Sequence, residues 1–206
     1  MNNKNYILLF DFGHGTRKYT KGKHSPDCTI YEGEWVREVG KRLVQELQLM
    51  GFDCRIIVPE DQDIPLAERC ERVNKIVKEN PKSECLFISL HLNAAGDDGK
   101  WYNARGCTVW VCKKASEKSK TLAELYFDTA KEMGLLGNRK AEGPCEANFK
   151  VLKSTNCPAI LTENMFQDNK KDVEWLLSET GKDTIINLHI ITICKYTETP
   201  YGFIQE

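Results

Sequence analysis

Short apolar runs alternate along the chain with longer segments in which apolar residues recur every three or four positions. The apolar runs predict strands at residues 6–10, 52–58, 86–90, 106–112, 149–152 and 158–162. The helical spacing predicts helices at residues 34–50, 65–78, 116–133 and 182–196, and a short helix capped by Asp168 or Asn169. Strands that alternate with helices are typical of a parallel sheet covered on both faces. The pattern therefore predicts a single-domain α/β fold with a mostly parallel, twisted sheet of about six strands and helices on both faces.

The composition agrees with a single core and excludes two classes of partner. Of 206 residues, 41% are hydrophobic, which is enough for one core, so we expect one domain over residues 1–196. Residues 197–206 are expected to form a tail, and we expect a monomer. The formal net charge is −1 and no basic stripe with interleaved aromatic residues is present, so we expect no nucleic-acid partner. The longest apolar stretch, residues 185–194, contains polar residues and falls far short of the roughly 20 residues that span a bilayer. We therefore expect no membrane partner.

The first residues and the cysteines indicate where the chain is made. Residues 1–5 are polar and lead directly into the first predicted strand, so no secretory signal peptide is visible and we expect synthesis in the cytoplasm. The nine cysteines contain no Cys-x-x-Cys pair, and several lie inside apolar runs. We interpret them as reduced thiols rather than as a disulfide framework.

Three of the predicted strands end at a side chain that can bind a metal or transfer a proton. The first strand leads into Asp11-Phe12-Gly13-His14-Gly15, the third leads into His91, and the last leads into Glu163. Ligands in open α/β folds bind at the edge where the carboxyl ends of the strands meet. The sequence therefore predicts one site that contains His14, His91 and Glu163.

The residue types at this edge suit a catalytic zinc ion. Such sites take three protein ligands and leave one position for water. His14 and His91 are the natural imidazole pair, and a carboxylate at the start of the first helix is the third candidate ligand. From the sequence alone, Glu32 and Glu34 both remain open for that role.

Glu163 is the remaining acid and suits proton transfer. Beside a metal-activated water it could take the proton of the water and deliver it to a leaving amine, which is the chemistry of amide hydrolysis. Each residue also has a structural interpretation: a turn for His14, the core for His91, the helix dipole for Glu32 and a cap for Glu163. The coincidence of all four residues favours the site.

Four ordered motifs resemble the zinc-dependent N-acetylmuramoyl-L-alanine amidases of the autolysin and phage-endolysin type. They are residues 11–15, Glu32 ahead of a helix, residues 89–94 and residues 158–166, and the resemblance extends from about residue 7 to 196. The chain departs from the family pattern at three positions, where Phe12 replaces proline, Val36 replaces asparagine and Met165 replaces glycine.

The resemblance implies a zinc amidase catalytic domain that cleaves the amide between the lactyl group of N-acetylmuramic acid and L-alanine in peptidoglycan. It implies one zinc ion held by His14, Glu32 and His91, with Glu163 as the catalytic acid and base. Glu32 is preferred over Glu34 because the family glutamate stands eleven residues before a helix leucine, which is Leu43 here. It further implies that the protein acts on the cell wall after release.

We expect substrate contacts from Asn93 and Arg105, with Trp101 and Tyr102 as walls of the groove. A structural salt bridge is the alternative for Arg105, and ordinary loop packing is the alternative for the two aromatic residues. Two other functions remain open, namely a zinc carboxypeptidase or peptidase of related fold and a catalytically silent wall-binding domain. Competent residues at all four catalytic positions argue against the silent domain.

Overall fold

One six-stranded sheet organises the computed structural model, which describes residues 6–138 and 142–201. In chain order its strands are β1 (Tyr6–Phe12), β2 (Asp53–Ile56), β3 (Glu84–Asn93), β4 (Thr108–Val111), β5 (Cys145–Glu146) and β6 (Ala159–Phe166). They lie side by side in the order β2-β1-β3-β6-β4-β5. The pair β4 and β6 is antiparallel and all other pairs are parallel, so the predicted mostly parallel sheet is confirmed.

Six helices in the described ranges connect and cover these strands. They are α1 (Glu32–Leu49), α2 (Leu66–Glu79), α3 (Glu117–Glu132), α4 (Lys150–Lys153), α5 (Lys170–Leu177) and α6 (Glu179–Thr197). Ser116, Asn169 and Ser178 cap α3, α5 and α6 by accepting backbone N–H groups in the first turn. None of the described helices is long and apolar enough to cross a membrane.

The strands are buried on both faces, which explains why they read as continuous apolar runs. In β1, Leu8 and Phe10 belong to the larger core, which includes side chains of α1, α3 and α6. Ile7 and Leu9 point to the opposite face and pack in a smaller core with side chains of α2 and α4. Because side chains alternate along a strand, a strand between two helical layers must be apolar at every position.

Three local predictions are corrected. Residues 149–152 are not a strand: residues 150–153 form the single turn α4, because a four-residue apolar run does not distinguish a strand from a short helix. The first helix begins at Glu32 rather than residue 34, and the last helix begins at Glu179 rather than residue 182. The structure also contains the two-residue strand β5, which was not predicted. Residues 139–141 and residues 202–206 of the predicted tail lie outside the described ranges.

The order of the strands decides where the chemistry lies. β3 is paired with β1 on one side and with β6 on the other, so the carboxyl ends of these three parallel strands are adjacent. The chain after β1 carries His14, whereas His91 and Glu163 lie within the final residues of β3 and β6, which continue beyond the predicted strand ends. The candidate side chains therefore meet at one edge of the sheet.

Candidate metal centre and active site

The loop after β1 is held close to the end of β3. The N–H of Gly13 donates to the carbonyl of Leu90 at 3.0 Å, and a Cβ at Gly13 would lie 2.4 Å from Cε1 of His91. Only glycine therefore allows the His91 ring to lie against this backbone. The next residue, His14, has a left-handed φ of 57°, a conformation that is uncommon outside glycine and often marks a functional position.

The first turn of α1 packs directly on the same loop. A Cβ at Gly33 would lie 1.8 Å from the carbonyl oxygen of Gly15, so the two backbones touch at this point. The N–H of Glu32 donates to the carbonyl of Lys23 at 2.9 Å. These contacts fix the start of α1 beneath His14 and bury the Glu32 side chain, which is 1% exposed.

His14, Glu32 and His91 converge on one point. Glu32 Oε1 lies 3.6 Å from Nε2 of His14 and 3.0 Å from Nδ1 of His91, and one ligand atom from each residue lies within 4.8 Å of the others. Ligand atoms bound tetrahedrally at about 2.0–2.2 Å stand about 3.3–3.6 Å apart. The three side chains therefore fit a shared metal ion. Glu34 does not reach this point, because it pairs with Arg17 at 2.7 Å.

The ionisation of the three residues also suits metal binding. Burial would raise the pKa of Glu32, but the hydrogen bond from His91 and the two imidazole charges outweigh it, so the pKa is lowered and the carboxylate is favoured. Burial lowers the pKa of His14, which favours the neutral imidazole that binds metals. Burial also opposes protonation of His91, but the adjacent Glu32 outweighs it and raises the pKa of His91. A cation at this point would displace that proton.

Glu163 lies beside this centre. It is paired in register with His91 across β3 and β6, and its Oε2 is buried with no hydrogen-bond partner among the described residues. Burial raises the pKa of the Glu163 carboxyl to about 7, with the charge of Glu32 acting in the same direction. A carboxyl group with such a pKa can both accept and donate a proton near neutral pH.

A buried ion pair supports the loop that carries His14. Arg69 of α2 is 1% exposed and donates to Oδ1 of Asp11 and to the carbonyl of Phe12, both at 2.8 Å. It also donates to Asp63 at 2.9 Å, and Asp11 accepts a further hydrogen bond from Ser89 at 2.6 Å. No role for this ion pair was predicted from the sequence. An arginine on the apolar face of a predicted helix is the signal that could have found it.

A β-bulge interrupts the pairing of β3 with β6 near the end of β6. Between His91 and Asn93 the register with β6 shifts, and Met165 takes a left-handed φ of 72°. This is the position at which the family pattern has glycine, so Met165 occupies a conformation that glycine adopts without strain. The shift leaves Asn93 opposite Phe166, and the carbonyl of Asn93 accepts the N–H of Gln167 at 2.8 Å. Gln167 in turn lies 3.4 Å from Oε2 of Glu32.

The two expected substrate-binding residues lie beyond this centre. The side chain of Asn93 is 3.4 Å from Oγ1 of Thr108. Arg105 lies in the loop before β4 and lines a separate cavity with Trp101 and Tyr102. Its Nε stands 3.5 Å from Oδ1 of Asp172, so the structure contains the salt bridge that was the alternative interpretation. The same side chain is 43% exposed and also lines the cavity.

Comparison with known proteins gives a consistent result. A family model described as N-acetylmuramoyl-L-alanine amidase matches residues 8–195. An endolysin of Bacillus phage SPP1 is 26% identical over 183 residues, which is 88% of this chain and 60% of the relative. The amidase CwlM of Bacillus licheniformis is 28% identical over 185 residues, with 88% and 65% covered. A protein named probable cell wall amidase LytH of Staphylococcus epidermidis is 27% identical over 182 residues, with 88% of this chain and 55% of the relative covered. The chain thus spans about 55–65% of the length of these three curated relatives.

Solved structures share the fold over nearly the whole chain. An N-acetylmuramoyl-L-alanine amidase from Clostridium difficile 630 aligns with a TM-score of 0.77 and 27% identity, covering 95% of this chain and 98% of that one. Ami1 from Mycobacterium smegmatis aligns with a TM-score of 0.80 over 97% and 100% of the two chains. At 14% identity, the second match shows the fold alone.

Proposed function

The chain belongs to the N-acetylmuramoyl-L-alanine amidase family, and on that premise we propose that it hydrolyses the amide between the lactyl group of N-acetylmuramic acid and L-alanine in peptidoglycan. The observation that carries the proposal is the convergence of His14, Glu32 and His91 on one point with Glu163 beside it. This arrangement contains a metal-binding set and a separate acid–base group, and amide hydrolysis needs both.

His14, Glu32 and His91 would hold one zinc ion. Two imidazoles and one carboxylate form a donor set that catalytic zinc sites use, and three protein ligands leave a position free. When bound, zinc supplies a Lewis acid that polarises a carbonyl oxygen and lowers the pKa of water from about 15.7 to about 7. Glu32 is further fixed by the N–H of Leu92, which donates to its Oε1 at 3.1 Å and orients the carboxylate.

Glu163 would move the protons of the reaction. Its carboxylate accepts a proton from the attacking water and then donates it to the amine nitrogen of L-alanine as the carbon–nitrogen bond breaks. The unpartnered Oε2 of Glu163 is available for this proton, and a pKa of about 7 favours transfer in both directions. The leaving amine needs this proton because an amide anion is a poor leaving group.

The substrate would approach along the loops that follow β3 and β6. Asn93 ends β3 next to His91, and Arg105 borders a cavity beyond it, so both can contact the peptide portion of the wall. The corresponding place of action is the cell wall. The relatives are longer proteins, and this chain covers only part of them. The proposed place of action therefore rests on family membership and on the site.

Digestion of purified peptidoglycan tests the proposal. The protein is stripped of metal with a chelator and assayed before and after zinc is restored, and the fragments are analysed by mass and by labelling of new amino termini. We expect new amino termini on L-alanine that appear only with zinc. New termini on another residue would instead identify a peptidase, and wall binding without any release would identify a silent wall-binding domain.

A further inference from the structure

A basic cavity lies between the loop before β4 and the start of α5. The cavity has a volume of about 390 Å³ and is lined by Trp101, Tyr102, Arg105, Lys170 and Lys171, together with three asparagines. No aspartate or glutamate belongs to this lining among the described residues. The whole chain has a net charge of −1, so this concentration of positive charge is a local feature.

We propose that this basic cavity binds a carboxylate of the stem peptide that extends beyond the cleaved bond. The inference rests on the proposed amidase function and deepens it, because it names the chemical group that the enzyme selects. Arg105 provides the main contact, and the two lysines add positive charge around it.

Arg105 is held in an orientation that suits a carboxylate. Its Nε is buried without a hydrogen-bond partner among the described residues and lies 3.5 Å from Oδ1 of Asp172, which is an ion-pair distance. Asp172 is itself fixed by the N–H groups of Gly106 and Phe166 at 2.9 and 3.1 Å. The charge of Asp172 therefore attracts the inner edge of the guanidinium, and the outer edge can present paired N–H donors to a carboxylate.

The loop that carries Arg105 is rigidly attached on both sides. The N–H of Tyr102 donates to the carbonyl of Asp168 at 2.8 Å, and the side chain of Asn169 donates to the carbonyl of Tyr102 at 2.9 Å. Asn138 accepts the N–H of Arg105 at 3.0 Å and donates to the carbonyl of Asn103 at 2.7 Å. A loop fixed in this way loses little conformational entropy when a ligand binds, which favours a recognition role.

The lysines of the cavity are free to contribute. Lys170 lies 5.7 Å from the centre of the Trp101 ring, and both Lys170 and Lys171 line the cavity. Both residues stand in the first turn of α5, where the helix dipole adds positive potential. The side chains, the helix and Arg105 therefore all favour an anion.

A short segment connects the basic cavity to the metal centre. Gln167 lies 3.4 Å from Oε2 of Glu32, and Asn169, two residues further along, lines the cavity. Two residues span at most about 7 Å, and an extended peptide covers about 3.3–3.6 Å per residue. We infer that a stem peptide with its L-alanine amide at the metal centre extends along this segment towards the cavity. A carboxylate, rather than an apolar group, matches the charge there.

A pair of soluble substrates tests the selectivity. Muramoyl tripeptides with free carboxylates and with the same groups converted to carboxamides are compared by kcat/KM. We expect the wild-type protein to prefer the carboxylate form about tenfold, mainly through KM. In Arg105→Gln the ratio should fall to about one, and in Arg105→Lys it should be intermediate because the charge is kept without the planar pair of donors. Lys171→Met should lower the ratio in the same direction.

Lys75→Gln is the matched control, since this lysine of α2 is 76% exposed and lies away from the cavity. The proposal is overturned if Arg105→Gln and Lys171→Met leave the carboxylate-to-carboxamide ratio of kcat/KM unchanged, which includes the case of equal losses on both substrates. Thermal unfolding of each variant checks that the fold is intact. The replaced Lys171 side chain makes no described hydrogen bond or ion pair, so we expect Lys171→Met to fold normally.

Binding of the free tripeptide, which is the reaction product, separates this proposal from the proposed function. Wild-type protein should bind the carboxylate peptide about tenfold more tightly than its carboxamide form even if no peptidoglycan is cleaved. Loss of this preference in Arg105→Gln supports the basic cavity independently of turnover. If Arg105→Gln instead loses binding only to wall that retains phosphate-bearing polymers, the ligand is a phosphate and the carboxylate assignment is wrong.

Discussion

Replacing Arg69 with methionine removes the buried group that ties α2 to the end of β1. The guanidinium donates to the carbonyl of Ile64, to Asp11, to the carbonyl of Phe12 and to Asp63, all between 2.8 and 2.9 Å. Methionine fills a similar volume but donates none of these hydrogen bonds. The Asp11 carboxylate is 1% exposed. Among the described side chains it then accepts a hydrogen bond only from the hydroxyl of Ser89.

The size of the effect follows from this loss. Breaking a buried ion pair by removing one partner lowers the free energy of unfolding by about 3–5 kcal/mol, because a charge remains buried without compensation. Since a domain is stable by about 5–15 kcal/mol, roughly a fifth or more of the stability disappears. For a chain of this size the unfolding midpoint should fall by about 10 °C.

Urea denaturation of wild-type and Arg69→Met protein measures this change. Arg55→Met is the matched control, because Arg55 pairs with Asp53 at 2.7 Å on the surface, where an ion pair contributes about 0–1 kcal/mol. Adding Asp11→Asn to Arg69→Met should recover part of the stability by removing the uncompensated charge. If Arg69→Met lowers the free energy of unfolding no more than Arg55→Met does, the buried ion pair of Arg69 does not stabilise the fold as expected.

The same variant has a consequence for the metal centre. The carbonyl of Phe12, which Arg69 holds at 2.8 Å, precedes His14 by two residues. Arg69→Met should therefore weaken zinc binding under conditions in which the protein is still folded, whereas Arg55→Met should leave it unchanged. A competition titration with a zinc-binding dye measures the difference.

Three further changes test separate parts of the site and fold. Glu163→Gln should keep the zinc content of the wild type and lose activity by about 10²–10⁴, and wild-type turnover would remove Glu163 from proton transfer. His14→Ala should lose zinc on elemental analysis, whereas full occupancy would exclude His14 as a ligand. Burial lowers the pKa of His189 from 6.5 to about 4. Its neutral form therefore stabilises the fold above pH 6.5, and this contribution falls as the pH drops towards 4, by about 3 kcal/mol in all. His189→Gln should flatten the dependence of unfolding free energy on pH in that range, and an unchanged slope would contradict the assignment.

Much of the fold can be predicted because burial imposes a local period on the sequence. The run at residues 6–10 is apolar at every position since β1 is covered on both faces, and the spacing of residues 34–50 reflects the single buried face of α1. The same local information fails where the element is short. Residues 149–152 are apolar enough for a strand, but only packing against α2 decides that α4 is a helical turn.

The site divides in the same way. The apolar runs placed His14, His91 and Glu163 at the carboxyl ends of predicted strands, which share an edge in an α/β fold. In the structure His14 follows β1, whereas β3 and β6 continue past His91 and Glu163. Only the tertiary structure decided that Glu32 faces the histidines while Glu34 turns to Arg17, since the two glutamates lie two positions apart and therefore on different sides of the helix. The contact of Gly33 with Gly15 and the ion pair of Arg69 with Asp11 also join residues far apart in the chain. Such contacts depend on how the helices pack on the sheet, and the hydrophobic periodicity of the sequence does not predict them.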